Sequence, residues 1–289
     1  MHVASIISTK GRVGKTTTTA NLGGFIADAG LRVLLVDLDK QPTLSRFFPL
    51  ALKAPAGIYE LLAFNEQDCH RLISKTTIAG LDVIVSNDSH GLLDNLLLHA
   101  ADGRLRLRNL MPVFQPHYDL MLIDTQGARS VMLEMAILAS DLAISPVTPE
   151  ILAARELSRG TIQLIEDIAP FRHLGIIPPP LRLLVNRTPA VSTTAAQIQE
   201  ALRQVFKQHP YAQMLDTSIP TVEAYLKAAA LGLPVHRLEP RRPSGRKAPA
   251  ALDTQRRLAL ELFPMWAEAF ENFGPKIAAQ SVHSGGSHV

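Results

Sequence analysis

Two lysines and a threonine at fixed distances in the segment 5–19, SIISTKGRVGKTTTT, have the chemistry to hold phosphate groups. The triplet Gly14-Lys15-Thr16 follows an apolar run and precedes a stretch of helical character, which is the context of a phosphate-binding loop. In such a loop, backbone N–H groups and the dipole of the following helix favour an anion. Lys15 would reach the β- and γ-phosphates, and the Thr16 hydroxyl would ligate Mg²⁺. The segment therefore predicts a nucleotide site, and a helix-capping loop with chance lysines is the alternative.

Three positions of this loop depart from the usual phosphate-loop pattern. The pattern has a glycine five residues before Gly14, and this chain has Thr9 there. Lys10 is a second lysine, and Arg12 adds an arginine inside the loop. The loop alone is compatible with a degraded nucleotide site and with a different kind of site that uses two lysines.

Three carboxylates follow apolar runs elsewhere in the chain. Asp37 and Asp39 end the run LRVLLVDLD, and strand alternation places both on one face. Asp124 ends the run YDLMLID, and Gly127 would let the next backbone segment approach a γ-phosphate. One carboxylate here can orient or deprotonate the attacking water, and another can hold Mg²⁺ directly or through water. For each acid alone, strand-end solvation or helix capping is the alternative interpretation.

Short apolar runs alternate with segments of helical character, and several runs are nearly continuous Val/Ile/Leu, as in strands buried on both faces of a parallel sheet. The predicted strands are 2–9, 31–39, 81–87, 118–125, 142–148 and 181–187. The predicted helices are 15–29, 57–74, 91–114, 129–140, 150–169 and 192–208, and a helix pair over 252–273 interrupted at Pro264. This alternation predicts an α/β fold with a doubly wound, mostly parallel sheet and helices on both faces. Together with the phosphate loop, it indicates a fold of the P-loop NTPase type.

The predicted topology brings the polar clusters to one edge of the sheet. Ligands of doubly wound sheets bind at the carboxyl ends of the strands. The loop 10–16, the segments 37–41 and 124–127, and Asn186 all follow predicted strands. We therefore expect these four clusters to form one site.

Composition limits the class of protein. The chain has 289 residues, 47% of them hydrophobic and 19% charged, as expected of a folded protein. We predict one domain over residues 1–274 and a disordered tail over residues 275–289. The single cysteine, Cys69, excludes a disulfide framework and a Cys-based metal cluster, and fits a reducing compartment. Because we find neither a signal-peptide pattern nor an apolar run of membrane-spanning length, we expect a cytoplasmic protein.

Five segments carry a resemblance to a known family. The run Lys10-Gly11-x-Val13-Gly14-Lys15-Thr16-Thr17 resembles the deviant Walker A motif, KGGVGKTT, of the ParA/MinD family of ATPases. DLDKQPTLS at 37–45 resembles the DLDPQxN segment of that family, and LMLIDTQGA at 120–128 resembles its switch II. LLVNRTP at 183–189 is similar to the strand-end segment whose asparagine contacts adenine, and 217–235 resembles the family's I-P stretch.

The resemblance implies a site for ATP or ADP and Mg²⁺ that two subunits share in a homodimer. Lys10 is then the lysine that reaches the phosphates of the other subunit, and Thr9 is no defect. A second cation there offsets the negative charge that grows at the transferring oxygens. Asp39 matches the hydrolytic acid and Asp124 the Mg²⁺-linked acid. The implied residues are Lys10, Lys15 and Asp39 for catalysis; Lys10, Gly11, Arg12, Val13, Gly14, Lys15, Thr16, Thr17, Asn186, Arg187 and Pro220 for the nucleotide; and Thr16, Asp39 and Asp124 for the metal.

The chain departs from the family pattern at three places. Arg12 replaces the second loop glycine, Lys40 replaces a proline, and Gln126-Gly127 replaces Pro-Pro. If the family glycine has a positive φ, Arg12 is strained by about 1–2 kcal/mol. Our hypothesis is that ATP binding survives while closure of the dimer and hydrolysis are weakened. The alternative is that Arg12 is tolerated and adds positive charge at the phosphates.

The two branches of the family differ in what the ATPase acts on. The ParA branch binds double-stranded DNA non-specifically as an ATP dimer and releases it when a ParB-type partner protein stimulates hydrolysis. Residues 237–257 carry seven basic and two acidic side chains, a net charge of +5 that suits phosphate contacts. A solvated loop and helix face is the alternative interpretation of that charge. The candidate DNA-binding residues are Lys227, Arg237, Arg241, Arg242, Arg246, Lys247, Arg256 and Arg257.

The MinD branch positions complexes at a membrane or cell pole through a C-terminal amphipathic helix. The segment LALELFPMWAEAFENF has apolar bulk, but its charged residues are Glu261, Glu268 and Glu271, which an anionic bilayer repels. We therefore expect its aromatic residues to pack against the sheet, and we expect no membrane partner. The sequence favours a partition ATPase of the cytoplasm, associated with the nucleoid, and a nucleotide-gated scaffold of the MinD type is the alternative.

Overall fold

The computed structural model describes residues 1–150, 152–189 and 191–274. The tail predicted to be disordered, 275–289, lies outside the described residues. Within the described part, nine β-strands form one continuous sheet. The strands are His2–Ile6 (β1), Val33–Asp37 (β2), Leu50–Leu52 (β3), Ser74–Thr76 (β4), Leu81–Ile84 (β5), Leu120–Asp124 (β6), Leu142–Val147 (β7), Leu181–Thr188 (β8) and Ala212–Pro220 (β9).

The sheet is mostly parallel. Its strand order is β3-β4-β5-β2-β6-β1-β7-β8-β9. β4 runs antiparallel to β3 and β5, and the six other pairings are parallel. Every residue of β2, β6 and β7 is buried, in agreement with their Val/Ile/Leu runs. The register pairs Asp37 at the end of β2 with Asp124 at the end of β6, so these two acids are neighbours.

Helices cover both faces of the sheet. Phe25 and the C-terminal helices pack with Ile6 and Leu35 on one face, whereas Met135 packs with Val3 and other residues on the opposite face. The α-helices of the described residues are Lys15–Asp28 (α1), Ile58–Phe64 (α2), Cys69–Leu72 (α3), Leu92–His99 (α4), Arg106–Leu110 (α5), Val131–Leu138 (α6), Ala153–Leu157 (α7), Gln163–Asp167 (α8), Thr193–Phe206 (α9), Glu223–Leu231 (α10), Val235–Leu238 (α11), Ala251–Leu262 (α12) and Ala267–Asn272 (α13). A π-helical segment, Ser158–Ile162, joins α7 to α8, and short 3-10 segments lie at Leu44–Arg46, Met111–Val113, Ala169–Leu174 and Pro264–Trp266.

The predicted doubly wound fold is confirmed, and all six predicted strands are present as β1, β2, β5, β6, β7 and β8. β3, β4 and β9 were not predicted, because two of them have three residues and β9 mixes polar with apolar residues at the edge of the sheet. The helix predicted over 91–114 is broken after α4. A Cβ at Gly103 would overlap the carbonyl of Leu97, so the chain turns there with a close backbone approach.

The C-terminal aromatic residues pack against the sheet, as predicted. The helix pair is α12 and α13, with the interruption at Pro264. Phe263 and Phe270 are fully buried. The ring of Phe263 lies 5.7 Å from the ring of His2 on β1, and the ring of Phe270 lies 5.8 Å from that of Phe25 on α1. Burial of each phenylalanine stabilises the fold by about 1.5–3 kcal/mol. Among the described residues, none of the helices combines the length and the apolar composition that crossing a bilayer requires.

Candidate nucleotide site

The loop between β1 and α1 is shaped by a glycine and an asparagine. Gly14 has a φ of 92°, in the left-handed region, and a Cβ there would overlap Nδ2 of Asn186. That amide nitrogen donates a hydrogen bond of 2.8 Å to the carbonyl of Val13. Any side chain at position 14 would therefore displace Asn186 from the end of β8. The structure joins the predicted adenine-side residue Asn186 directly to the phosphate loop.

The first turn of α1 holds the second loop lysine and its threonine. Lys15 is buried, and this burial lowers the pKa of its ammonium, although the nearby carboxylates of Asp124 and Asp39 act to raise it. The Thr16 hydroxyl donates a hydrogen bond of 2.6 Å to Oδ2 of Asp124. Thr17 lies in the same turn, and its carbonyl accepts a bond of 2.7 Å from Asn21. The first N–H groups of this helix have no intrahelical partner, so they are available to an anion.

Three carboxylates lie around the buried lysine. Asp124 is fully buried, and its burial and the neighbouring charge of Asp37 raise its pKa to about 8. Burial raises the pKa of Asp37 to about 6, even though the Ser45 hydroxyl and N–H donate to it at 2.7 and 2.8 Å. Asp39 is only half-buried, and its Oδ1 accepts a bond from the Gln41 N–H. Asp39 is thus the acid that can contact solvent.

The donor set fits Mg²⁺. The side chains of Thr16, Asp39 and Asp124 offer only oxygen atoms, which are the ligands that Mg²⁺ prefers. Oδ1 of Asp124 is buried without a hydrogen-bond partner among the described residues. A buried carboxylate oxygen without a partner is costly, and a bound cation would compensate that cost.

Arg12 adopts a backbone conformation that favours glycine. Its φ is 63°, one of three positive values at non-glycine residues among the described residues. A residue with a Cβ in this region is destabilised by roughly 1 kcal/mol or more. Arg12 is exposed to solvent. Position 12 therefore has the positive φ that our hypothesis of backbone strain requires.

Lys10, the first loop lysine, is bound by two carboxylates of its own chain. Its Nζ lies 2.8 Å from Oε2 of Glu150 and 2.7 Å from Oε2 of Glu156. These hydrogen bonds, first that of Glu150, raise the pKa of Lys10. Behind the lysine, Gly160 in the π-helical segment lies so close to Thr9 that a Cβ would overlap the threonine hydroxyl.

The other departures from the family pattern also have defined contacts. Lys40 forms an ion pair of 2.7 Å with Asp94 at the start of α4. Gly127 faces the phosphate loop, since a Cβ there would lie 2.6 Å from Cα of Gly11. The segment after β6 therefore packs on the loop backbone, and a larger residue at 127 would separate the two.

Two further predicted residues lie near the carboxyl ends of β8 and β9. Arg187 has a φ of 59°, and its N–H donates a bond of 2.9 Å to Oδ1 of Asn186. Pro220 ends β9 and pairs in register with Thr188 of β8. Both residues lie at the carboxyl ends of the strands, as the phosphate loop does. They border the place where we expect the adenine base.

The predicted DNA-binding residues divide into two groups. The side chain of Arg237 is 9% exposed and donates two hydrogen bonds to Asp28. Arg246 is paired with Glu239, and Arg256 donates to the carbonyls of Phe270 and Phe273. The exposed members are Arg241, Arg242, Lys247, Arg257 and Lys227, of which Lys227 is paired with Glu223 at 3.1 Å. Lys247 and Arg257 both line a cleft of about 430 Å³ beside β9.

Sequence reasoning missed the glutamates that hold Lys10. Glu150 follows the carboxyl end of β7. The rule that ligands bind at the carboxyl ends of the strands, which selected Asp124, therefore applies to Glu150 as well. Glu156 lies in α7, and no local pattern marks it. The role of Ser45, which donates twice to Asp37, was missed as well, although it lies in the segment 37–45.

Comparison with known proteins agrees with this geometry. A family model described as an AAA domain matches residues 1–174. The sporulation initiation inhibitor protein Soj of Bacillus subtilis is 28% identical over 89% of this chain and 98% of its own length. The chromosome partitioning protein ParA of Caulobacter vibrioides is 28% identical over 81% of this chain and 86% of its own. The solved ATP complex of a Cyanothece McdA variant superposes with a TM-score of 0.74 at 21% identity, covering 94% of this chain and 96% of that one.

The mostly parallel sheet, the loop after β1 and the helix beginning at Lys15 define the class of P-loop NTPases. Within that class, the chain belongs to the ParA/MinD family of ATPases.

Proposed function

We propose that the chain is a ParA-type partition ATPase, which binds ATP with Mg²⁺, hydrolyses it slowly and dimerises around two ATP molecules. One domain over residues 1–274 carries this activity. The observation that carries the proposal is the bond between Thr16 and Asp124 beside the buried Lys15, at the N-terminus of α1. The two relatives named above, and the ATP complex formed by a protein of the same fold, support it.

The loop residues bind and position the nucleotide. Lys15 and the backbone from Gly11 to Thr17 hold the phosphates, while Thr16 and Asp124 hold Mg²⁺. When bound, Mg²⁺ would supply positive charge at the phosphate oxygens. Asp39, which contacts solvent, orients or deprotonates the attacking water. The adenine base is bordered by three residues, Asn186, Arg187 and Pro220.

Lys10 acts on the nucleotide of the other subunit. On its own chain, Lys10 is bound to Glu150 and Glu156. Exposed ion pairs of this kind are worth about 0–1 kcal/mol each, so a nearby triphosphate can displace them. We propose that Arg12, strained and exposed in the same loop, weakens closure of the dimer while ATP binding is retained.

The ATP dimer binds double-stranded DNA without sequence preference and is released when a ParB-type partner stimulates hydrolysis. The exposed cations of the basic segment support this part, chiefly Arg241, Arg242, Lys247 and Arg257. Arg237, Arg246 and Arg256 are occupied by contacts within the chain, and we assign them to the fold. We place the protein in the cytoplasm, on the nucleoid.

Retention on plain duplex DNA tests the proposal. The chain is passed over immobilised duplex with ATP or ADP at low and raised salt, and the same samples are mixed with anionic liposomes. We expect retention on the duplex with ATP but not with ADP. Retention should decrease steeply as salt rises, because phosphate contacts release counterions. Lys15→Ala, which loses the phosphate contact, serves as the control that removes retention. Binding to liposomes without retention on DNA would instead indicate a MinD-like scaffold.

A further inference from the structure

A second basic site lies at the end of the sheet opposite the nucleotide site. It is a cleft of about 400 Å³ where β8 and β9 begin, at Leu181 and Ala212. The nucleotide-side residue of the same strand, Asn186, is five positions further along, which is about 16 Å at the rise of a strand. The cleft is therefore separate from the phosphate loop.

Three cations of this cleft have no carboxylate partner among the described residues. Arg172, Arg182 and Lys207 line it, together with His209, and no described aspartate or glutamate does. None of the three forms an ion pair with a described carboxylate. Like charges gathered in one cleft repel each other and attract an anion.

The neighbouring arginines behave differently. Arg203, four residues before Lys207, forms an ion pair of 2.6 Å with Asp216. Arg129 forms an ion pair of 2.5 Å with Asp167, five residues before Arg172. The surrounding chain thus offers carboxylates to other cations and leaves those of the cleft without one.

The aromatic floor of the cleft, formed by His209 and Tyr211, is held in place by contacts within the chain. Nδ1 of His209 accepts bonds of 3.3 and 3.2 Å from the N–H groups of Tyr211 and Ala212. In the neutral ring the proton is therefore on Nε2, which makes the histidine a hydrogen-bond donor. The guanidinium of Arg172 lies 5.5 Å from the centre of the Tyr211 ring, a cation–π contact that holds it over the floor. These donors are positioned before any ligand arrives, so less ordering entropy is lost on binding.

Two exposed apolar side chains lie in the segment that joins Arg172 to the prolines of the cleft. Leu174 and Ile177 are 67% and 75% exposed, unusually large fractions for such residues. Ile177 directly precedes Pro178, and Pro178–Pro180 form one wall of the cleft. The surface therefore combines positive charge with an aliphatic rim and a rigid proline wall.

We propose that this cleft binds an acidic segment of a partner protein, a short peptide with several carboxylates beside a large apolar side chain. A nucleic-acid backbone matches the charge but has no side chain for Leu174 and Ile177. The tail of the chain itself, residues 275–289, has no acidic side chain. The proposal does not depend on the proposed ATPase function, because the cleft shares no residue with the nucleotide site.

Fluorescence anisotropy with the full chain tests this site. The probe is a fluorescein-labelled peptide, EELEEFLEE, and the control peptide is KKLKKFLKK. We expect the acidic peptide to bind at least about tenfold more tightly than the basic one, and less tightly as salt rises. The charge-reversal pair Arg172→Glu with Lys207→Glu, both at exposed positions, should lower its affinity at least about tenfold. Lys53→Glu, an exposed position beside β3 at the opposite edge of the sheet, is the matched control and should change affinity less than about twofold.

A second pair of variants separates a peptide site from a general anion site. Leu174→Ser with Ile177→Ser should weaken binding of the acidic peptide and leave displacement by inorganic phosphate unchanged. Unchanged peptide affinity in the charge-reversal variant would overturn the proposal. Tighter binding of a duplex oligonucleotide than of the peptide, at equal charge concentration, would overturn it in favour of nucleic acid. ATP affinity, measured in the same samples, should not change, so failure here leaves the ATPase function untouched.

Discussion

Nζ of Lys10 lies 2.8 Å from a carboxylate oxygen of Glu150 on its own chain. Glu156 holds the same ammonium from α7, so the lysine that we assign to the other subunit's nucleotide is occupied within its own. All three side chains are at least 39% exposed, and solvent weakens such pairs. The contact is therefore strong enough to position Lys10 and weak enough for an ATP-bound partner to release it.

Neutralising the two glutamates should release the lysine. For the double variant Glu150→Gln and Glu156→Gln, we expect ATP-dependent dimerisation to tighten by about two- to tenfold, because closure no longer breaks two ion pairs of about 0–1 kcal/mol each. Analytical ultracentrifugation with ATP and with ADP measures this. Glu166→Gln, an exposed glutamate on α8, is the matched control and should have no effect. Weaker dimerisation of the double variant would show that these glutamates serve the closed dimer instead.

Glycine at position 12 should relieve backbone strain. Because Arg12 has a φ of 63°, we expect Arg12→Gly to raise the free energy of unfolding by up to about 1 kcal/mol and to strengthen the ATP dimer. Asn65→Gly, at a φ of 55° after α2, controls for strain relief alone and should leave dimerisation unchanged. Urea unfolding and sedimentation measure the two effects. Equal dimerisation of the parent chain and Arg12→Gly would refute our hypothesis about the loop.

Asp124 gives the ligand-free protein a distinct pH dependence. Its pKa is raised to about 8, whereas an unfolded chain ionises aspartate near 3.9. The folded state thus holds more protons between those values, and stability falls as pH rises through that window. We expect Asp124→Asn to be more stable than the parent by about 5 kcal/mol at pH 8 and nearly equal at pH 4.

Unfolding with Mg²⁺ and ATP completes this test. The parent chain should gain stability from the metal nucleotide, because the cation favours the ionised acid, and Asp124→Asn should gain much less. A stability difference that is the same at both pH values would contradict the assignment of the raised pKa to Asp124.

Truncation of two arginines of the basic segment should affect different properties, stability for one and DNA affinity for the other. Arg237→Ala removes two of the three side-chain hydrogen bonds to the largely buried carboxylate of Asp28 and leaves that of His236, and we expect a loss of about 3 kcal/mol in unfolding free energy. Arg242→Ala should leave stability unchanged, lower the DNA affinity of the ATP dimer and reduce its salt slope by about one. Urea unfolding and DNA titration at several salt concentrations separate the two roles. A normal salt slope for Arg242→Ala would remove that residue from the DNA surface.

The sequence predicted the parts of the site that follow local rules. The loop 10–16 is marked by its own residue order, and Asp37 and Asp124 each end an apolar strand. Since parallel strands end at one edge, adjacency of the two acids follows from topology, and the register pairs them.

Contacts between distant parts of the chain were beyond such rules. Lys10 and Glu156 are separated by 146 residues, and no pattern near either one indicates the other. A charge count cannot reveal that Arg237 is paired with Asp28, 209 residues earlier. β9 was missed for a related reason: an edge strand has one neighbour, so its sequence need not be continuously apolar.

The most direct test of the account mixes two inactive variants. Lys10→Ala lacks the lysine given to the other subunit, and Asp39→Ala lacks the acid used on its own nucleotide. In a mixed dimer, the nucleotide on the Lys10→Ala subunit has its own Asp39 and receives Lys10 from the Asp39→Ala subunit. With random pairing, half of the dimers are mixed and each has one complete site, so we predict about a quarter of the parent ATPase rate. An equimolar mixture no more active than either variant alone would contradict the claim that Lys10 acts across the dimer.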